Sequence, residues 1–151
     1  MVPVIVTAVA VLALGLKPAT AAQVSYYDVT QGAHPHDVAP APDGKVWYTE
    51  YGNGVVGRLS GGPLSTAQEF TAGGGHHGPS GLATGNDRQL WLAMDGAAST
   101  LERFDTVAHT VKSYTLPTTG GSAYEIITGP DGNLWYTTQA NRIGRLELPL
   151  S

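Results

Sequence analysis

The chain has 151 residues, with eight Lys and Arg against twelve Asp and Glu, a formal net charge of −4, and no cysteine. Without cysteine there are no disulfide staples, no thiolate catalysis, no cysteine-held iron–sulfur cluster and no lipid-modified N-terminal Cys. A mildly acidic chain without basic clusters gives no footing for nucleic acid or an anionic membrane surface, and twenty Gly with ten Pro between short apolar runs predict many tight turns rather than long helices.

The first 22 residues differ from the rest of the chain. Val2 to Leu16 is an almost unbroken apolar run, short for a bilayer span, and it ends in the small-residue stretch Lys17-Pro18-Ala19-Thr20-Ala21-Ala22 suited to signal peptidase. Residues 1–22 are therefore expected to be a secretory signal peptide, making the mature chain of 23–151 secreted or periplasmic and free of the membrane after cleavage. Only the amino terminus supplies positive charge ahead of the run, so an uncleaved anchor is the competing reading. Cleavage removes Lys17 and leaves seven Lys and Arg against twelve acids, a net charge of −5.

Tyr26-Tyr27-Asp28-Val29 then has the pattern of an outer strand without inner strands of its own, and from there the chain repeats itself. Trp47, Trp91 and Trp135 are each 44 residues apart, as are Val38, Leu82 and Ile126, and Thr49, Ala93 and Thr137, giving repeats of about 26–67, 68–111 and 112–151. Val38, Leu82 and Ile126 mark a short first strand in each repeat. The Pro-Asp-Gly after it in the first and third makes a hairpin turn in which Gly44 and Gly132 are free to take positive φ. The second repeat has Arg88 there, which predicts a strained or differently built turn. The second strand, Val46 to Thr49, Leu90 to Ala93 and Leu134 to Thr137, is apolar on both faces, as befits a strand packed between neighbouring sheets. Gly57-Arg58-Leu59, Glu102-Arg103-Phe104 and Gly144-Arg145-Leu146 mark the third strand, and Phe70 and Tyr114 the outer one.

A period of 44 residues built of strands and turns predicts an all-β chain of three four-stranded β-propeller blades. The three tryptophans become equivalent core residues between blades, and Arg58, Arg103 and Arg145 are expected to hydrogen-bond carbonyls of an adjacent turn. Propellers close with about four to eight blades. Three copies are therefore either an incomplete propeller, part of a longer chain, or half of an oligomeric ring of two chains, and the uncovered blade faces make self-association the expectation for the chain alone.

The segments His34-Pro35-His36-Asp37-Val38, Asp43-Gly44-Lys45-Val46-Trp47-Tyr48-Thr49-Glu50 and Gly129-Pro130-Asp131-Gly132-Asn133-Leu134-Trp135-Tyr136-Thr137-Thr138, followed by Asn141-Arg142-Ile143-Gly144-Arg145-Leu146, resemble the virginiamycin B lyase (streptogramin lyase) family, a resemblance covering residues 26–151. It implies a seven-bladed propeller of which four blades are lacking here. The implied activity linearises cyclic streptogramin B depsipeptides by elimination. Mg²⁺ polarises the carbonyl and a histidine moves the proton.

Mapped through this resemblance, His36 falls on the family's proton-transfer His and Glu50, fourteen residues on, falls on its carboxylate; both are the implied catalytic residues. His34 stands where the family has its other Glu, so Glu50 and His34 are the implied Mg²⁺ ligands. Ser80 and Tyr124 occupy the positions equivalent to the family's second His and are read as substrate-binding. With that His missing, the three-blade chain alone is expected to show no turnover.

His76-His77 form a pair that could ligate a metal, but adjacent side chains in a Gly-rich loop rarely converge on one ion, and a solvated loop is the plainer reading. His109 is expected on an exposed hairpin connection. The ligand implied is a small cyclic peptide or another extracytoplasmic molecule. Two further classes stand beside the lyase: a non-catalytic propeller that binds a peptide, glycan or protein partner at the channel mouth, and a lactonase-type hydrolase, which needs several carboxylate and Asn ligands that this chain does not display. His36 and Glu50 could equally be a polar pair fixing loop geometry.

Overall fold

Short runs of β-branched and aromatic residues between Gly- and Pro-marked turns leave the backbone no alternative to strand pairing. The computed structural model describes residues 24–61, 67–73, 78–96, 99–117 and 120–149. The expected signal peptide and His76-His77 lie outside the described residues. The first sheet is β1 (Pro35–Pro40), β2 (Val46–Glu50), β3 (Val55–Leu59) and β4 (Ala67–Thr71). The second is β5 (Pro79–Thr84), β6 (Leu90–Met94), β7 (Thr100–Phe104) and β8 (Val111–Thr115), and the third is β9 (Ala123–Thr128), β10 (Leu134–Thr138) and β11 (Ile143–Leu146). Each strand pairs antiparallel with its chain neighbour, and Trp47↔Arg58, Trp91↔Arg103 and Trp135↔Arg145 are equivalent cross-strand pairs.

The sheets are the blades of an incomplete propeller, with innermost strands β1, β5 and β9 side by side. Two expectations change. The third blade has three strands among the described residues rather than four. Residues 24–30, where an outer strand was expected at Tyr26 to Val29, join no ladder among the described residues.

Two apolar cores fill the spaces between blades. Trp47, Val56, Leu82, Leu92 and Phe104 meet between the first and second, and Trp91, Leu101, Ile126 and Leu134 between the second and third. Trp47 and Trp91 are fully buried, whereas Trp135, at the same repeat position, is only half-buried because no further blade among the described residues covers it. The mirror situation holds at the other end. Val38 is 64% exposed while its equivalents Leu82 and Ile126 are buried.

The recurring arginines bind carboxylates rather than the turn carbonyls expected of them. Asp43, Asp87 and Asp131, the Asp of each hairpin turn, accept a turn N–H, the Trp indole N–H and the Arg guanidinium. The distances are 3.0, 3.1 and 3.5 Å in the first blade, 3.2, 3.1 and 2.8 Å in the second, and 3.2, 2.9 and 2.9 Å in the third. A carboxylate has lone pairs for all these donors, and the charged partner strengthens the set.

The second blade departs from the other two in compensating pairs. Tyr48 lies over Gly57 and Tyr136 over Gly144, so closely that neither glycine leaves room for a Cβ. In the second blade the shorter Leu92 faces Glu102, whose side chain fills the space the ring would take. Glu102 is buried, accepts a hydrogen bond from Ser113 Oγ at 3.2 Å, and leaves Oε2 without a partner among the described residues. At the turn, Gly44 and Gly132 have φ of 73° and 79°, and Arg88 is held at 59°.

Two measurements test the strained turn and the buried carboxyl. A non-glycine residue in the left-handed region costs roughly 1–2 kcal/mol, and glycine returns about 0.5–1 kcal/mol of that as chain entropy. Arg88→Gly should therefore raise stability by about 0.5–1 kcal/mol in a urea melt; an unchanged midpoint would mean that the turn is not strained. Burial pushes the Glu102 carboxyl up, opposed by the Ser113 hydroxyl. Its folded pKa exceeds the unfolded one, so the folded state holds the extra proton. That stability is complete below about pH 4 and is lost as pH rises through the folded value. Glu102→Gln should gain on the parent chain as pH rises above about 4, and a pH-independent difference would refute the effect of burial.

Candidate functional site

The inner strands begin at one end of the array, and each starts with a bulge. Residues 36 and 37 oppose Thr49 alone, Ser80 is the extra residue of β5, and residues 124 and 125 oppose Thr137 alone. Bulges re-aim side chains, and here they turn His36, Ser80 and Tyr124 to a common rim. Threonine hydroxyls fill two of the bulges, with Thr49 Oγ1 accepting from Asp37 N at 3.0 Å and Thr137 Oγ1 from Glu125 N at 3.1 Å.

Contacts across the blades join like positions of the repeat. His36 Nδ1 lies 3.1 Å from Ser80 O, and Ser80 Oγ donates to Tyr124 O at 2.6 Å. Thr84 Oγ1 donates to Pro40 O and Thr128 Oγ1 to Thr84 O, at 2.5 and 2.6 Å. A second rim row, Tyr51, Asp95 and Gln139, runs along the ends of the second strands. Asp95 accepts the Tyr51 hydroxyl at 3.1 Å and the Gln139 amide at 2.8 Å, and this raises the Tyr51 pKa.

His36 is the chemical centre of this rim. Because Nδ1 faces a carbonyl oxygen, the neutral ring carries its proton there, and Nε2 accepts the Tyr124 hydroxyl at 3.1 Å. Glu125 Oε1 lies 3.8 Å from Nδ1. Burial, then the neighbouring Asp37, pushes the Glu125 carboxyl up, and His36 pulls it down. The Tyr124 and Tyr51 rings flank the imidazole at centroid distances of 5.3 and 6.3 Å. A ring held at Nδ1 by a carbonyl and a carboxylate, with Nε2 on a displaceable hydroxyl, can take a proton at Nε2.

The structure thus brings His36, Ser80 and Tyr124 together, with Ser80 contributing its backbone carbonyl and its side chain fully buried. Glu50 does not join them. It is 0% exposed, receives Asn53 Nδ2 on Oε2 at 3.0 Å, and leaves Oε1 without a partner among the described residues. Burial of the Tyr48 hydroxyl, then the neighbouring Glu50 carboxylate, raises the Tyr48 pKa well above the usual tyrosine range. His34 is exposed, at φ 48°, with its ring against Gly52. Among the described residues no three His, Asp or Glu side chains are grouped to hold a metal. A sealed carboxylate and an outlying imidazole do not make the oxygen-rich octahedral shell that Mg²⁺ demands, so the described residues do not by themselves fit that ion.

Glu125, Tyr51, Asp95 and Gln139 escaped the sequence reading. The signal was present, since the last three share the 44-residue step and Glu125 adjoins Tyr124. His109 is exposed as expected, though its ring lies 4.2 Å from Phe70.

The sequence profile of the Virginiamycin B lyase family matches residues 6–149. Among solved structures, a catalytically inactive virginiamycin B lyase from Staphylococcus aureus with quinupristin is 20% identical with a TM-score of 0.66, over 83% of this chain and 45% of that one. The selenomethionine-substituted lyase from the same organism is 21% identical at a TM-score of 0.66, with the same coverage. A streptogramin B lyase is 21% identical at 0.65, over 83% of this chain and 44% of that one. These likenesses show the propeller fold, and the chain spans less than half the length of each of these lyases. No curated protein matches the chain.

Thr49 is fully buried and joins the bulge to the next blade, accepting from Asp37 N and donating to Ser80 O at 3.0 Å, the same carbonyl that His36 faces. Thr49→Val keeps the shape and strands the Asp37 N–H, leaving Ser80 O to His36 alone, so it should cost roughly 1–3 kcal/mol in a denaturant melt. A neutral substitution would show that the bulge is held by packing alone.

Proposed function

The chain belongs to the virginiamycin B lyase family, and on that premise we propose that it is part of a carbon–oxygen lyase acting on a cyclic depsipeptide of the streptogramin B class. The observation that carries the reading is His36, whose Nδ1 is held by Ser80 O and Glu125 while Nε2 faces the rim. In the proposed step Nε2 takes the proton from the carbon next to a carbonyl. The electron pair forms a carbon–carbon double bond, and the ester carbon–oxygen bond breaks with its electrons leaving on the carboxylate. Glu125 steadies the imidazolium, and Tyr124 gives up Nε2 as substrate arrives. Tyr124 is the proposed substrate contact, whereas Ser80, expected to share that role, is buried beneath the rim and positions His36 through its carbonyl. The apolar run of residues 2–16 supports an exported protein.

A second reading rests on the Tyr51, Asp95 and Gln139 row. Those side chains already hydrogen-bond one another and suit recognition of a peptide, glycan or protein partner better than proton transfer. Incubation with a streptogramin B depsipeptide, calorimetry and liquid chromatography with mass spectrometry separate the two. The expected result is binding by the three-blade chain, weakened at least tenfold by His36→Ala and Tyr124→Phe, with the depsipeptide recovered ring-closed. Elimination leaves the mass unchanged and shifts retention, whereas hydrolysis adds one water. A product heavier by water would sink the lyase assignment, and failure of the depsipeptide to bind would leave the second reading.

A further inference from the structure

A second set of polar side chains lies at the opposite end of the blades from the His36 rim. His36 stands at the start of β1, whereas the β1–β2, β5–β6 and β7–β8 turns close the far ends of those strands. Between the first two blades, both of which have all four strands, these turns border a groove of about 280 Å³. Pro42, Asp43, Arg88, Asp105, Thr106 and Val107 line it.

Three groups in this groove have hydrogen-bonding capacity that the chain does not use. Arg88 is held at φ 59° where the other blades have Gly44 and Gly132, a strained backbone for a residue with a Cβ. Its guanidinium recovers nothing for that strain, being exposed and without a hydrogen bond or ion pair among the described residues, whereas Arg58, Arg103 and Arg145 are each paired with an aspartate. Thr106 is buried, yet its hydroxyl makes no hydrogen bond among the described residues. Asp105 Oδ1 accepts the Val107 and Ala108 N–H groups, both at 2.8 Å, while Oδ2 accepts none. Those two bonds hold the Asp105 carboxyl below the usual carboxylate range, so it is charged at neutral pH. The Asp43 carboxylate, by contrast, is committed to Lys45 N, the Trp47 indole and Arg58. A strained residue that the fold does not repay points to a function for its side chain.

We propose that this groove binds a free α-amino acid with an apolar side chain. Its carboxylate meets the Arg88 guanidinium and the Thr106 hydroxyl, its ammonium meets Asp105 Oδ2, and its side chain lies on Pro42 and Val107. A free cation and a free carboxylate oxygen that border one groove without pairing with each other call for a ligand carrying both charges. A lone anion would face the charge of Asp105, and a lone cation that of Arg88. The guanidinium fork matches a carboxylate in shape, and Val107, 84% exposed, supplies apolar surface beside it. Size points the same way. Clefts for drug-sized ligands span roughly 300–1,000 Å³, so this smaller groove suits a single amino acid and is too small for a cyclic depsipeptide. The site is therefore separate from the His36 rim in both place and ligand.

The probe is L-leucine, titrated into the isotope-labelled chain and followed by nuclear magnetic resonance of the backbone amides. Saturable shifts are expected at Gln89, Thr106 and Val107, with none at His36 or Tyr124. N-acetyl-L-leucine lacks the ammonium and L-leucinamide the carboxylate, so each should bind about tenfold or more weakly than leucine. Arg88→Gly installs the residue that the other two turns carry and should weaken leucine by about tenfold or more, while a urea melt of the same variant shows that the fold is kept. Asp105→Asn retains an oxygen for the Val107 and Ala108 N–H groups and should lose the preference for leucine over N-acetyl-L-leucine. The proposal is overturned if leucine shifts none of the three groove amides, if Arg88→Gly binds leucine as the parent does, or if the parent binds all three compounds equally.

Discussion

One carboxylate organises each blade. Asp43, Asp87 and Asp131 sit in the hairpin turns between the first and second strands, and each ties its own turn, the indole of the central tryptophan and the arginine of the third strand into one hydrogen-bonded set. The indole N–H would otherwise be a donor to satisfy inside an apolar interface. With it satisfied at the rim of the sheet, the ring is free to spend its faces on the next blade. Hydrogen bonds from Asn133 and Trp135, assisted by Arg145, hold the Asp131 carboxyl below the usual carboxylate range, the mark of a group that is bound in its charged form. The tryptophans in turn set the spacing at which blades stack, and the stacking sets everything at the rim.

The rim inherits the repeat in a simple way. Like positions meet like positions across blade boundaries, as in the rows at 36, 80 and 124 and at 51, 95 and 139. A perfectly regular repeat would make these rows chemically uniform. Divergence at a few positions makes them a site instead, because one blade supplies an imidazole, the next a carbonyl in a bulge and the third a phenol and a carboxylate. The backbone scaffold stays constant while the rim side chains vary, a division of labour that separates stability from chemistry.

The same repeat explains where the array is unfinished. Interior faces such as Trp91 and Leu82 are sealed because each has a neighbour of its own kind, while Trp135 and Val38 occupy the same places without one. In the second blade the exchange of a tyrosine over glycine for a leucine beside Glu102 keeps the volume filled and leaves a carboxylate in an apolar setting. Packing density thus outranks polarity at that position.

The amino-acid sequence by itself determined the period, the blade as repeating unit, the turn positions and the tryptophan core. All of these rest on alternation and turn chemistry within a few neighbouring residues, and Arg88 in a glycine's place showed the strained turn at once. Its resemblance to the lyase family also singled out His36, Ser80 and Tyr124, which stand one 44-residue step apart. Only the tertiary structure decided which groups meet. Fourteen residues separate His36 from Glu50, yet β2 buries the carboxylate on Asn53 while the bulge in β1 turns the imidazole to the rim, toward partners 44, 88 and 89 residues away. Glu125 as the carboxylate beside His36, Asp95 between Tyr51 and Gln139, and aspartates rather than carbonyls as arginine partners all depend on strand register and blade stacking. Such distant contacts leave no local pattern in the chain, because the free energy that selects them belongs to the packed blades and not to any one segment.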